Sequence, residues 1–554
     1  MILSPENTCE TSGSCIGCNL IYSGNHYEAL EKDSYGKFRF VAGINPRSFS
    51  WQLAPGEAFY TPEAVLNSSA DGFRGLSGQL HSFIREHIVR GVWKHKPRPV
   101  LLNSWEACYF KIDEKKLLQL AKAGKNAGIE LFVMDDGWFL GRNDDTSSLG
   151  DWEPDPKKLP GGIASLSKKI KELGMDFGIW VEPEMISENS NLYKEHPDWA
   201  MKIPGHPHSE GRNQCILDLC NPEVRKYVIE EMTRVFSSGE IRYVKWDMNR
   251  NFSDIYSPYL PAAKQGETAH RYVLGLYHIM DELTTRFPEI LFEGCSSGGN
   301  RFDLGILNYF PQIWASDNTD ALCRTGIQNS YSYGYPLSVF TAHVSSCPNH
   351  QTLRITPLET RFQVASFGVL GYECNLKDLS GSDLNAIREQ IALYKKWRDV
   401  FQFGSFYRGA ENEASDSETL SWTCVSPDGR RAVGLFFRRL TVPNQSHDWY
   451  RPVGLLPDVK YHFYGRNIKY NLKDFGDLVN TVSPIHIKQG SALQEILSRF
   501  VNMDGEKEDL TAYGDTLMRA GIALKPAFAG TGYNSDTRLF PDFSSRIYFM
   551  EAVE

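Results

Sequence analysis

Between residues 98 and 405, short apolar runs alternate with longer stretches in which apolar residues recur every three or four positions. The apolar runs are PVLLNSW from Pro99 to Trp105, IELFVMDD ending at Asp135 and Asp136, and MDFGIWVE ending at Glu182. IRYVKWD ends at Asp247, ILFEGCS near Cys295, QIWASD at Asp317, LSVFTAHVS near His343 and GVLGYECN near Cys374. Runs that are apolar at nearly every position fit parallel strands buried on both faces. The stretches between them read as helices. One is KKLLQLAKAGKNAG, with Asp113 as its N-cap and Gly128 as its stop; others are GIASLSKKIKELG, NPEVRKYVIEEMTRVF and AHRYVLGLYHIMDELTTRF. A long polar insertion follows the third strand, and the helix LNAIREQIALYKKWRDVFQ closes the region.

These eight strands with their connections predict an α/β fold, a (β/α)8 TIM barrel. A doubly wound open sheet usually carries a glycine-rich phosphate loop after its first strand, and none stands here. Upstream, YEALEKDSYGKFRFVAGINPRSFSWQLAPGEAF alternates apolar and polar residues and reads as β-strands as far as Phe59. Downstream of Thr419, LSWTCV, RRAVGLFFRRL and VKYHFYG also read as strands, enough for a small β-sandwich. The expected division is an N-terminal β segment at 1–80, the catalytic barrel with its connecting helix at 81–410 and a C-terminal β-sandwich at 411–554.

Composition narrows the partners. A net charge of -9 with no basic run argues against nucleic acid, and no apolar stretch is long enough to cross a membrane. The first residues lack a basic n-region and a sustained apolar core, so no signal peptide is read. The chain as written is therefore expected in the cytoplasm, a longer N-terminus leaving secretion open. The 11 cysteines are scattered, unlike a disulfide framework, and the Cys15/Cys18 pair, with Cys9 nearby, reads as free thiols rather than as zinc ligands.

A barrel of this kind works at the C-terminal ends of its strands. There the sequence places Trp105 and Glu106, Asp135 and Asp136, Trp180 and Glu182, Lys245 and Asp247, Cys295, and Asp317. One acid at a strand end is as readily a helix cap. Several converging acids with two tryptophans and one cation, and no His₃ or His/Cys metal set, point to a sugar site. Glycosidic cleavage needs one carboxylate to attack the anomeric carbon and another to protonate the leaving oxygen. Asp247 suits the nucleophile, because Lys245 projects from the same side of its strand and would keep a nearby acid ionised. Asp317 has no adjacent cation and follows an apolar strand, which suits an acid whose pKa must rise; capping the next helix is its competing reading. Asp135 and Asp136, at a curling strand end, can both reach one ligand and accept from vicinal hydroxyls, a divalent metal being the weaker reading. Trp105 and Trp180 fit pocket walls or barrel core.

The motifs NSWEACYF, FVMDDGWF, DWEPDPKKLPGG, GIWVEPEMIS, HPDW, YVKWDMNR, FEGCSSGGNRFD, WASDNTDA and HVSSCPNHQTLR stand in this order. Together they resemble glycoside hydrolase family 36 α-galactosidases, from about Tyr22 into the C-terminal region. The resemblance implies a retaining double displacement on terminal non-reducing α-galactosyl residues of melibiose- or raffinose-type sugars. It implies Asp247 as nucleophile and Asp317 as acid/base, and Asp135 and Asp136 on the galactose 4- and 6-hydroxyls. Trp105 and Trp180 line the pocket, Arg212 matches the arginine of the loop before the fourth strand, and Lys245 and Asn249 flank the nucleophile. Cys295 and Gly298 contact the 2-hydroxyl region. No metal or organic cofactor is implied.

The resemblance also sets an expectation of departure. Family members carry a large N-terminal β-supersandwich, of which this chain is expected to hold a remnant, roughly residues 20–80, while its first twenty residues resemble nothing in the family. An incomplete gene or natural truncation is the expected cause, and the family's homotetramer is doubtful without that domain. Two other functions stay open: a galactosyltransferase of the raffinose- or stachyose-synthase type, which shares the covalent intermediate, and an inactive sugar-binding protein. Retention of both Asp247 and Asp317 argues against the latter. CSSGG near the 2-position speaks against an α-N-acetylgalactosaminidase.

Overall fold

The computed structural model describes the whole chain except residues 210, 411–416, 444–446, 499, 529–533, 535 and 554. Two compact units emerge. The first comprises residues 1–319, 331–346 and 368–379, and the second residues 320–330, 347–367 and 380–554.

In the first unit, eight parallel strands close into a barrel in chain order. They are β1 (Leu101–Asn103), β2 (Leu131–Met134), β3 (Asp176–Val181), β4 (Ile241–Trp246), β5 (Leu291–Gly294), β6 (Gln312–Trp314), β7 (Phe340–Ser345) and β8 (Val369–Glu373). Every one falls within an apolar run of the sequence. The expected helix termini also hold: Asp113 accepts the backbone N–H of Lys116 at 2.8 Å, and the helix Glu114–Ala127 ends at Gly128. Asn221 caps Pro222–Ser237 in the same way.

Side-chain alternation along each strand divides the barrel interior into two layers. Near the N-terminal ends, Leu101, Leu131, Val133, Tyr243 and Leu291 pack together over Trp93. Two residues further along the same strands the inward set turns polar: Asn103, Asp135, Lys245 and Glu293, all buried. The β4 register carries Tyr243 opposite Leu291 and Lys245 opposite Glu293, so the switch from apolar to charged occurs at one level of the sheet. The base supplies hydrophobic cohesion and the mouth supplies chemistry.

Ahead of the barrel, Cys15–Ile21 pairs antiparallel with Glu63–Ser69 and Ile2–Leu3, and His26–Lys32 forms a hairpin with Phe38–Ile44. The reading of strands through Phe59 is corrected, because no strand lies between Ile44 and Glu63. Pro46, Pro55 and Pro62 remove ladder donors in that stretch. Cys15 and Cys18, three apart on one strand, alternate to opposite faces of it.

In the second unit, six antiparallel strands form one sheet, its centre built by Thr419–Val425, Arg431–Arg438, Ser544–Ala552 and Lys460–Gly465. All three downstream strand readings fall in it. Its core gathers Phe436, Tyr450, Phe463 and Tyr548.

Candidate active site

The mouth of the barrel is built from the residues that end each strand. Asp247, directly after β4, is buried, and its two oxygens accept three N–H groups. Oδ2 takes the Trp180 indole at 3.2 Å and the Asn249 amide at 2.7 Å, while Oδ1 takes the Met248 backbone at 2.9 Å. Trp180 is thereby buried and a donor to Asp247 at once. Asn249 is itself fixed by Ser297, whose hydroxyl donates to its Oδ1 at 2.9 Å, and by its own backbone N–H donating to Glu182.

Lys245 corrects one expectation. Its ammonium lies 3.1 Å from Asp135 Oδ2, not in an ion pair with Asp247. Burial alone would discharge it, but Asp135 and the other acids of the mouth outweigh burial and raise its pKa well above the usual lysine value. Asn103 also donates to Asp135 Oδ2, at 2.7 Å. The adjacent Asp136 turns the other way and is gripped by Arg142, whose Nε and Nη2 reach its two oxygens at 3.0 and 2.8 Å. Burial pushes the Asp136 carboxyl up from its usual range, and Arg142 opposes it.

Asp317 follows β6 and accepts the Trp314 indole N–H at 2.8 Å. It does not cap the next helix: the helix Ala321–Tyr331 has Asp320 at its start, accepting the Cys323 backbone N–H at 3.0 Å. Burial, then the charge of Asp247, raises the Asp317 carboxyl above its ordinary value, with Lys245 and the Trp314 hydrogen bond opposing. Two acids thus share one mouth, Asp247 wrapped in donors and Asp317 with its carboxyl raised by burial and by Asp247.

Cys295, buried after β5, has its thiol pushed well up by burial and then by the neighbouring Asp247 carboxylate. Gly298 sits at φ +82°, where an added Cβ would meet the Asp317 backbone nitrogen at 2.7 Å. Trp105, half-buried at the mouth, packs edge-on to Tyr109 and Phe110. Arg212 stands apart. It lies in the insertion after β3, half exposed, with its guanidinium 3.9 Å from Asp145.

Several residues of this site went unread in the sequence. Arg142 lies in a loop, where no periodicity marks it. Glu182 was noted as a strand end but given no role; it is fully buried between Asn249 and Gln214, and burial, then Asp247, pushes its carboxyl up to about 8. Glu184 accepts Trp246, Tyr272 and both Arg301 nitrogens, tying the ends of β3 and β4 to the loop after β5. The alternation WVEPE, two inward acids after Trp180, was the available signal for both.

A closed parallel barrel with paired carboxyls and indoles at its C-terminal mouth is an architecture of the (β/α)8 glycoside hydrolase class. The melibiase family profile matches residues 58–404, and the N- and C-terminal domain profiles of glycosyl hydrolase family 36 match residues 1–54 and 419–550. The chain belongs to glycoside hydrolase family 36, the melibiase family. The N-terminal match starts at residue 1, so the expectation that the first twenty residues lie outside the family is corrected. Alpha-galactosidase AgaA of Geobacillus stearothermophilus is 46% identical over 466 residues, 84% of this chain and 64% of the relative. Alpha-galactosidase 1 of Pediococcus pentosaceus is 47% identical over 461 residues, 83% of this chain and 63% of the relative. The crystal structure of AgaA superposes with a TM-score of 0.87 at 41% identity, covering 100% of this chain and 69% of that one. The chain thus spans somewhat less than two thirds of the length of these curated relatives.

Proposed function

We propose that this protein is a retaining α-galactosidase that hydrolyses terminal α-galactosyl residues of melibiose- and raffinose-type oligosaccharides. The observation that carries the reading is the pairing of Asp247, held by three N–H donors, with Asp317, raised by burial and by Asp247 itself. In the first step an Asp247 oxygen attacks the anomeric carbon. The glycosidic C–O bond breaks toward the leaving oxygen, which takes the Asp317 proton. In the second, Asp317 removes a proton from water, the water oxygen attacks the same carbon, and Asp247 departs as carboxylate. Two inversions return the α-anomer.

Substrate recognition is assigned to Asp135 and Asp136 on the galactose 4- and 6-hydroxyls, with Trp105 and Trp180 as walls and Lys245, Asn249, Cys295 and Gly298 around the ring. Arg212 completes the set only if substrate draws its loop inward. Solved structures of AgaA variants carry raffinose and stachyose in complex, which supports a galactoside here.

The test is p-nitrophenyl-α-galactoside hydrolysis by the chain and by Asp247→Ala and Asp317→Ala. Activity in the parent that both variants lose supports the reading, and α-galactose as first product marks retention. A folded parent that binds galactose without turnover would leave a sugar-binding protein. Predominant transfer to a sugar acceptor over hydrolysis would make it a transferase.

A further inference from the structure

Behind the acid/base candidate lies a buried pair that the reaction as written does not use. His343 on β7 places Nδ1 2.9 Å from Glu373 Oε2 at the end of β8, with both side chains nearly excluded from solvent. A carboxylate only accepts, so Nδ1 carries the proton. Nε2 has no hydrogen-bond partner among the described residues. The imidazole lies directly over Gly371, where a Cβ would come within 2.6 Å of Nε2; the neighbouring strand therefore makes room for this ring and no larger one. The other face of the imidazole meets the Trp314 indole, with centroids 4.3 Å apart and a 37° tilt. That indole is the donor to Asp317.

Resting on the assignment of Asp317 as acid/base, we propose that His343 and Glu373 are positioning residues for it. Glu373 orients the imidazole, the imidazole fixes the Trp314 ring, and the ring N–H holds the Asp317 carboxyl toward the leaving oxygen. Three strands are enlisted to aim one proton. A ring pinned only by apolar neighbours could rotate about its terminal torsion; a hydrogen-bonded carboxyl on one side and a glycine floor beneath restrict the imidazole to one orientation. The charged groups acting on Asp317 itself are Asp247 and Lys245 from β4 and Glu373 from β8.

The test separates aim from packing by varying the leaving group. Melibiose needs a proton on its leaving sugar oxygen, whereas α-galactosyl fluoride expels fluoride with little acid assistance. For His343→Ala, Glu373→Gln and Trp314→Phe, kcat/KM on melibiose is expected to fall about 10- to 100-fold, and on the fluoride by less than about threefold. His343→Gln, which restores a donor to Glu373 but no ring, should behave like His343→Ala. Equal losses on both substrates, or no loss, overturn the proposal. Should His343→Ala fail to fold, Glu373→Gln and Trp314→Phe decide the matter by the same ratio. Asp317→Ala is measured alongside. If it lacks the melibiose-selective loss, the acid/base assignment falls; if it shows it while the three variants do not, only the positioning role falls.

Discussion

Gly298 presses its Cα against the backbone of Asp317, so the loop after β5 is a rest for the loop after β6. A methyl group there would stand 2.7 Å from the Asp317 nitrogen and 3.0 Å from the Ser316 Cα, at a φ of +82° that side chains rarely adopt. Backbone cannot yield as a flexible side chain would. Gly298→Ala is therefore expected to displace Asp317 and lower kcat by about 100-fold, as ångström-scale misplacement of a reacting group does. Steady-state kinetics on melibiose check this, and an unchanged kcat would show that the two loops move freely.

Among the described residues Arg142 is the cation paired with Asp136, and both are buried. Arg142→Met would strand a carboxylate in a low-dielectric site, at a cost of about 3–5 kcal/mol. Adding Asp136→Asn to that variant should recover part of the loss, because the stranded charge is gone. Urea denaturation measures both steps. A loss under about 1 kcal/mol in the single variant contradicts the account.

Glu182 makes stability depend on pH. Its carboxyl titrates near 8 when folded, against an ordinary value of 4.5. Below 4.5 both states hold the proton; between the two values only the folded state does. Unfolding then releases a proton, so stability declines as pH rises through this window, by at most about 1.4 kcal/mol per unit. Glu182→Gln keeps an acceptor for the Asn249 N–H and has no proton to lose in this range, so it should flatten that slope. Melting temperatures from pH 5 to 8 provide the comparison, and parallel curves for parent and variant would refute the assignment.

Activity should have its own pH signature. The proposed acid role needs Asp317 protonated, and burial together with Asp247 raises its pKa, so kcat/KM is expected to be lost as pH rises through a value above the usual aspartate range of about 3.9. On α-galactosyl fluoride, which asks little of the acid, that basic limb should weaken. A limb of the same midpoint and depth in Asp317→Ala would assign it to another group.

How much of this could be read beforehand depended on whether physics wrote it locally. Each barrel strand announced itself, since a strand buried on both faces must be apolar nearly throughout, as LFVM of β2 is. Asp113 and Gly128 were legible because caps act over three or four residues. Lys245 was placed correctly, but its contact with Asp135 was not foreseen. Strand neighbours two apart share a face, yet the ammonium reaches across the barrel to β2, a distance that spacing along one strand cannot express. The His343–Glu373 pair was missed for the same reason, its partners lying on different strands, whereas Arg142 is only six residues from Asp136 but sits in a loop that no periodicity marks. The segment 45–62 misled because alternation persisted while its prolines had already removed the donors a ladder requires.

The two-layered barrel interior has a consequence for how the protein comes into being. Asp135 is satisfied by groups 32 and 110 residues away, and Asp247 by an indole 67 residues upstream. None of these bonds can form within a single strand–helix unit. Before the strands come together, Asp247 keeps only its own loop's N–H groups and Asp136 its arginine, while Asp135 still lacks the ammonium that reaches it from across the barrel. A partly assembled barrel therefore holds all of these acids but leaves Asp135 uncompensated until the fourth strand is in place.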